Sequence, residues 1–511
     1  MARTKQGTDW AKTLDMLPER HSVAMGAVDT AWLRMDSATN LMMIVGVWVI
    51  KPAINRKALS ARIQATLLQY PRFLQCAVEG PDGVRWVPDA DFSLDDHVVS
   101  ETLPRARAGH QQAKLQERVA ELAVQPLDSQ RPLWQFHLVE HYDGGSAMIV
   151  RIHHCIADGV ALVAVIQSMV DGGELPPRST RRSHGHGLLD QAETMLDTWV
   201  FTPAGRVSSL AWGAASVGVK TSLAFAHAPR STLEHGLRNV WASTKWVLHG
   251  VSDAAAMALM QNDSATRLKG TPSGIKRVAW CQPLPLADVK ALSKAMECSV
   301  NDVLLGCVSG AIGHYLLACG DDVQGQEIRA MVPVNLRPID QAYRLGNQFG
   351  LAPLVLPIGI RSPVARVREV HRRMSELKGS MQPLMAFGLL AVAGKLTRTM
   401  QDAMLDLFSR KTTAVMTNVI GPKEKMRFLG ATVEQSLVWV PQSGSVGLGV
   451  SILSYGGGVQ FGVITDAALC PNPQAIVDEF IPEFDRLALA MGQRGEGGSK
   501  VTAKRAKKLS I

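Results

Sequence analysis

Charge, aromatics and paired cysteines are all in short supply in this 511-residue chain. Charged residues are only 19% and hydrophobic ones 46%, an oily balance that implies an unusually apolar interior or an apolar patch. Aromatics are 5%, and none is interleaved with the one dense basic cluster, which argues against a nucleic-acid partner. The seven cysteines (Cys76, Cys155, Cys281, Cys298, Cys307, Cys319, Cys470) form no CxxC pair, so they read as buried small hydrophobes of a reducing compartment, and no metal site is expected. No run reaches the roughly 18 unbroken apolar residues of a spanning helix. Residues 41–50 are too short, and Lys220 interrupts residues 209–228. Residues 1–20 are charged and polar, without the apolar core and cleavage site of a secretory leader, so a cytoplasmic location is expected.

What is present is a long chain with a formal net charge of +9, unevenly spread. Residues 494–511 carry Arg494, Lys500, Lys504, Arg505, Lys507 and Lys508 against Glu496 alone, a basic tail that reads as solvated and disordered or as attracted to anionic headgroups. The length calls for more than one core. Patterning divides the chain into an N-terminal extension (1–20), an α/β lobe (21–175), a helical linker region (176–274), a second α/β lobe (275–492) and the tail (493–511). In the first lobe, residues 42–50 pattern as a buried strand and 56–69 as a helix ending before Pro71. Short strands or loops follow at 83–88 and 91–99, then a helix at 111–123. Residues 134–154 form a hairpin about Asp143-Gly144-Gly145, followed by an apolar helix at 159–170. In the linker, Pro176-Pro177 leads to helices within 188–260, packed on the body or covering a tunnel or membrane. The second lobe has strands at 276–285, 328–334 and 351–356, helices at 286–296, 299–317 and 363–374, and two strands around Tyr455-Gly456-Gly457-Gly458.

The chemistry-bearing stretch is His153-His154-Cys155-Ile156-Ala157-Asp158-Gly159. Side chains alternate along a strand, so Met148, Val150, Ile152 and His154 share one face while Ala147, Ile149, Arg151 and His153 share the other. Only one histidine can therefore face a given substrate channel. A neutral imidazole with an ordinary pKa of about 6.5 suits removal of a hydroxyl proton, provided a partner holds its rotamer and tautomer. Asp158 could hold the ring directly, or hold the loop by pairing with an arginine, Arg337 or Arg151. Gly159 at the helix start lets a backbone or ligand approach closely.

This His-His-x-x-x-Asp-Gly signature resembles that of the CoA-dependent acyltransferase superfamily, which includes chloramphenicol acetyltransferases and peptide-synthetase condensation domains. The wider set is similar to the bacterial wax ester synthase/diacylglycerol acyltransferases. It comprises Val28-Asp29-Thr30-Ala31-Trp32, Asp36-Ser37-Ala38-Thr39-Asn40, Pro132-Leu133-Trp134, Val300-Asn301-Asp302-Val303-Leu304, residues 332–338, 345–350 and Thr417-Asn418-Val419-Ile420-Gly421-Pro422. Ile420 stands where that family usually has proline. The resemblance covers residues 24–491. It implies two chloramphenicol-acetyltransferase-like lobes with a substrate tunnel between them. The activity implied is transfer of a long acyl chain from acyl-CoA to diacylglycerol or a long-chain fatty alcohol.

On that resemblance His154 is the general base, His153 a supporting residue, Asp158 and Gly159 shapers of the loop, and Cys155 a packing residue. Acyl-CoA is a co-substrate and no cofactor is implied; a peripheral membrane or lipid-droplet association follows from the greasy substrates. Other candidates stay open between two roles. Asn301 and Asp302 either line the substrate channel or start a helix through a Ser299–Asp302 capping box. Pro132 and Trp134 contact ligand or pack beneath the active-site strand. Asn347 and Asn418 donate to the oxyanion or cap turns. The competing functions are a condensation-type or small-molecule acyltransferase and a non-catalytic acyl-CoA- or lipid-binding protein.

Overall fold

A computed structural model describes residues 22–104, 110–174, 261–337, 345–378 and 382–492. The extension (1–20), the tail (493–511) and the helices expected within 188–260 lie outside the described residues.

The first half contains β1 (Val23–Ala24), α1 (Ala27–Arg34), β2 (Met43–Lys51), α2 (Arg56–Ala65), β3 (Gln75–Gly80), β4 (Gly83–Pro88), α3 (Leu94–His97), β5 (Val98–Glu101), α4 (Gln111–Ala123), β6 (Trp134–Tyr142), β7 (Gly145–His153) and α5 (Gly159–Met169). The second contains β8 (Lys276–Trp280), β9 (Leu284–Pro285), α6 (Leu286–Ala295), α7 (Val300–Ala318), β10 (Ile328–Asn335), β11 (Phe349–Leu356), α8 (Pro363–Lys378), α9 (Gln382–Ala393), α10 (Arg398–Arg410), β12 (Ala414–Ile420), β13 (Arg427–Phe428), β14 (Ala431–Trp439), β15 (Leu448–Tyr455), β16 (Gly458–Asp466) and α11 (Pro473–Ala490).

The hairpin of β6 and β7 forms for local reasons. Asp143 and Gly144 both take positive φ (48° and 74°), the two-residue turn whose twist matches antiparallel strands, and Tyr142 pairs with Gly145 across it. β7 lies between β6 and β2 in a six-stranded sheet of order β13-β14-β2-β7-β6-β5. The second large sheet runs β11-β10-β12-β15-β16-β8, with β9 paired to β16. Each sheet has its own apolar cluster, around Trp134 and Phe73 in the first and around α7 and Phe461 in the second. Helix α7 is long and apolar enough to cross a membrane by length and composition, but 78% of its apolar window is buried inside the fold.

Three boundaries differ from the sequence reading. Strand β14, from within residues 275–492, pairs antiparallel with β2 and so completes the first sheet; the second unit is not a self-contained lobe. Residues 276–285 are two strands, with Pro283 in the break, and residues 91–99 hold a short helical turn before β5. Of the expected helical linker, the described part (261–274) has neither helix nor strand.

Candidate active site

Strand β7 ends as expected at the histidine pair. Met43 pairs with His153, and the next backbone N–H, of His154, reaches the Met42 carbonyl at 2.7 Å. The chain then leaves the sheet and crosses to the second half. Ala157 bridges to Gly346, and the Gly346 N–H donates to the Ile156 carbonyl at 3.2 Å. Gly346 has φ +107°, and a Cβ there would stand 3.4 Å from both the Arg72 guanidinium and the Asp29 carboxylate. The residues 345–350 motif is thus packed directly against the His154–Asp158 loop.

The His154 ring is buried and stacked on Trp32, with centroids 4.2 Å apart and planes 12° from parallel; Phe349 is 5.4 Å away. Nδ1 lies 2.9 Å from Asn347 Oδ1. Nε2 has no hydrogen-bond partner among the described residues, and the residue lines the central cavity. Burial, which penalises the charged ring, pushes the His154 pKa down to about 4, against opposing contributions from its own backbone, Asp158 and Asn347. The imidazole is therefore neutral at ordinary pH, the state a base requires.

His153 faces the other way. Its Nδ1 accepts the Cys155 N–H at 3.2 Å, and its Nε2 stands 3.3 Å from Asp36 Oδ2 on the back of the strand. Cys155 is fully buried and packs in the first core.

Asp158 is the N-cap of α5. Its Oδ1 accepts the Ala161 N–H at 2.9 Å, while Oδ2 takes Arg337 Nη2 at 2.7 Å and the Gln348 N–H at 2.9 Å. The arginine partner is Arg337. Arg151 instead donates to Gln135 and to the Gln125 carbonyl, and burial pushes its pKa down to about 10. Asp158 thus fixes the loop rather than touching the imidazole nitrogen. A Cβ built on Gly159 meets open space within 4 Å, and the residue borders the cavity.

The cavity, about 640 Å³, lies between the two sheets. From β7 and the residue after it, the lining takes Met148, Val150, Ile152 and His154, the face set by alternation, and none of the opposite-face residues. Ile44, Gly46 and Trp48 of β2 extend that wall; Phe349, Leu351, Val415 and Thr417 supply the facing one. At its rim Ile420 is 85% exposed.

The remaining candidates divide. Asn418 borders the cavity, and its amide donates to Asn301 Oδ1. Asp302 is buried in a complete capping box: its N–H donates to Ser299 Oγ and its Oδ2 accepts the Ser299 N–H, while His371 Nδ1 lies 2.7 Å from that same oxygen. Neither Asn301 nor Asp302 lines the cavity. Trp134 is a core residue off the cavity wall: its indole N–H donates to the Phe73 carbonyl at 2.8 Å and its ring stacks on His97 at 4.3 Å. Pro132 serves the strand entry, its carbonyl accepting the Trp134 N–H. Asn347 cannot donate to an oxyanion in the cavity, because its Nδ2 already donates to Asp29 Oδ1 and to the His154 carbonyl, each at 2.8 Å. Sequence reasoning missed Trp32 and Phe349 as neighbours of the ring, and Asp29 and Arg72 as the groups behind Asn347. The available signal was spacing: Asp29 and Trp32 are three apart on α1, hence on one face, and an aspartate buried there needs partners.

Two α/β halves thus enclose an apolar cavity, with one imidazole at the end of a strand. Comparisons supply the class. Residues 25–304 match the wax ester synthase/diacylglycerol acyltransferase catalytic domain, and residues 345–488 match the C-terminal domain of the same family. The chain belongs to the wax ester synthase/diacylglycerol acyltransferase family. It is 27% identical over 387 residues (75% of this chain, 76% of the relative) to the probable diacylglycerol O-acyltransferase tgs1 of Mycobacterium tuberculosis. It is 24% identical over 508 residues (88% and 91%) to wax ester synthase/diacylglycerol acyltransferase 5 of Arabidopsis thaliana. In fold it is similar to the wax ester synthase/diacylglycerol acyltransferase of Marinobacter aquaeolei VT8, with a TM-score of 0.61 at 19% identity, covering 92% of this chain and 100% of that one.

Proposed function

We propose that this protein transfers a long acyl chain from acyl-CoA to the hydroxyl of diacylglycerol or of a long-chain fatty alcohol, with His154 as general base. The observation that carries the reading is the neutral His154 ring whose Nε2 is left free beside a cavity walled by aliphatic and aromatic side chains. Nε2 takes the acceptor's hydroxyl proton as its oxygen attacks the thioester carbonyl carbon. The tetrahedral oxyanion collapses, the C–S bond breaks, and the imidazolium returns the proton to the departing CoA thiolate. The balance closes without a covalent acyl-enzyme or a cofactor, which leaves Cys155 out of the chemistry. The apolar walls suit the chains, since each buried CH₂ contributes about 0.8 kcal/mol. Such acceptors reside in lipid, so a peripheral encounter with a membrane or lipid inclusion is part of the proposal. His154→Ala is expected to cut turnover by at least roughly 100-fold with folding intact; unchanged turnover would sink the assignment. Labelled palmitoyl-CoA offered hexadecanol and diacylglycerol together, with products separated by thin-layer chromatography, reads the acceptor preference. No product from either lipid would favour a small-molecule acyltransferase instead.

A further inference from the structure

A base that must accept a proton on Nε2 has to carry its own hydrogen on Nδ1, and the surroundings of Asn347 dictate that choice. The Asn347 side chain meets two pure acceptors on one side: Nδ2 donates to Asp29 Oδ1 and to the His154 carbonyl, both at 2.8 Å. The Asn347 backbone N–H also donates to Asp29 Oδ1, at 3.0 Å. Turning the carboxamide over would set its oxygen against a carboxylate and a carbonyl, so only one orientation satisfies the site. That orientation presents Oδ1 to the ring, 2.9 Å from Nδ1. An amide oxygen cannot donate; a bare Nδ1 there would leave two buried acceptors facing each other. Asp29 is fixed in turn by Arg72, whose Nη1 donates to its Oδ2 at 2.8 Å and to the Ile156 carbonyl at 3.0 Å.

We propose that Asn347 is a positioning residue that holds His154 in its Nδ1–H tautomer, and that Asp29 acts one step further back by fixing the Asn347 carboxamide. The proposal rests on His154 being the base. It also accounts for a neutral amide, rather than a carboxylate, standing at Nδ1. A carboxylate in contact would favour the protonated ring before substrate arrives. The amide leaves the ring neutral, yet when Nε2 takes the hydroxyl proton Nδ1–H still has its acceptor. The Asp29 carboxylate behind the amide polarises it toward the new positive charge.

The test uses full-length protein labelled with ¹⁵N-histidine, with the His154 signals identified by their loss in His154→Gln. Wild type is expected to show a protonated Nδ1 and a bare Nε2. In Asn347→Ala the hydrogen is expected to move onto Nε2, with kcat falling by on the order of 100-fold or more while KM for palmitoyl-CoA changes little. Asp29→Asn keeps the side-chain volume and is expected to give a mixture of tautomers and a smaller loss of kcat. A wild-type His154 with its hydrogen on Nε2 overturns the proposal whatever the variants do. So does an Asn347→Ala enzyme that keeps both the Nδ1–H signal and its kcat. Should Asn347→Ala fail to fold, the wild-type spectrum and Asp29→Asn decide; an unchanged tautomer and kcat in Asp29→Asn refute the Asp29 role. Full turnover in His154→Gln would overturn the base assignment itself, a result separate from the tautomer measured in wild type.

Discussion

Helices α5 and α7 each have a motif aspartate in their capping, Asp158 as the N-cap of α5 and Asp302 as the third residue of α7, and the two are connected differently. Asp158 caps α5 with one oxygen and spends the other on Arg337 and Gln348, both from the second half of the chain. Asp302 closes a capping box with Ser299, and its outside contact is His371, on a neighbouring helix of the same half. One carboxylate joins the halves beside the active loop; the other begins a buried helix. A capping motif alone therefore does not mark a reacting group. What distinguishes Asp158 is where its second oxygen goes.

Asp158→Ala offers the largest break in this comparison. It removes the carboxylate that pairs the buried Arg337 guanidinium, so stability should fall by about 3–5 kcal/mol, with turnover lost as the His154 loop is released. A denaturant curve matching wild type would show that the cross-half link carries no weight. Acid should act next. The His154 pKa drops from 6.5 to about 4 on burial, so between those values the unfolded chain binds more protons than the folded one. Stability from this group is complete above about 6.5 and is lost as pH falls through about 4, a change of roughly 3 kcal/mol. Unfolding measured from pH 7 to pH 4 should be flatter in His154→Gln than in wild type. Asp302→Ala should cost about 1–2 kcal/mol as a lost cap while leaving KM for both substrates unchanged. A raised KM would move Asp302 from helix start to channel and erase the contrast with Asp158. Trp134→Phe, which removes one buried indole hydrogen bond, should cost about 1 kcal/mol and leave the product ratio between wax ester and triacylglycerol unaltered.

Local pattern made some of this legible. Alternation along residues 147–154 selected the four that face the cavity, because a buried sheet cannot change register without turning every side chain over. The Ser299–Asp302 box and helix α4 were equally local signals, and α4 covers the residues expected. Partners distant in sequence were not legible. Asn347 reaches His154 across 193 positions of the chain, and Asp29 reaches Asn347, not the ring, across 318. From sequence Asn347 reads equally as an oxyanion donor, because an isolated motif says nothing of which acceptors occupy its amide. Helix α10 and strands β13 and β14 gave no expectation at all. Val433 and Gln435 straddle an irregularity in the β14–β2 pairing, which breaks the simple period-two signal there.

The crossing of β14 into the first sheet sets an order on synthesis. Strand β2 emerges from the ribosome hundreds of residues ahead of its partner, and Val45 to Lys51 must wait for Thr432 to Trp439 before that edge is covered. Until then the nascent first half exposes an unpaired, strongly apolar strand edge, the kind of surface that recruits chaperones or pairs with another copy. A gene cut between the two halves would deliver fragments that each lack part of a sheet. Co-expressed, they would have to find each other to complete it, so the cavity is assembled only once translation has passed Tyr455, the last residue of its lining.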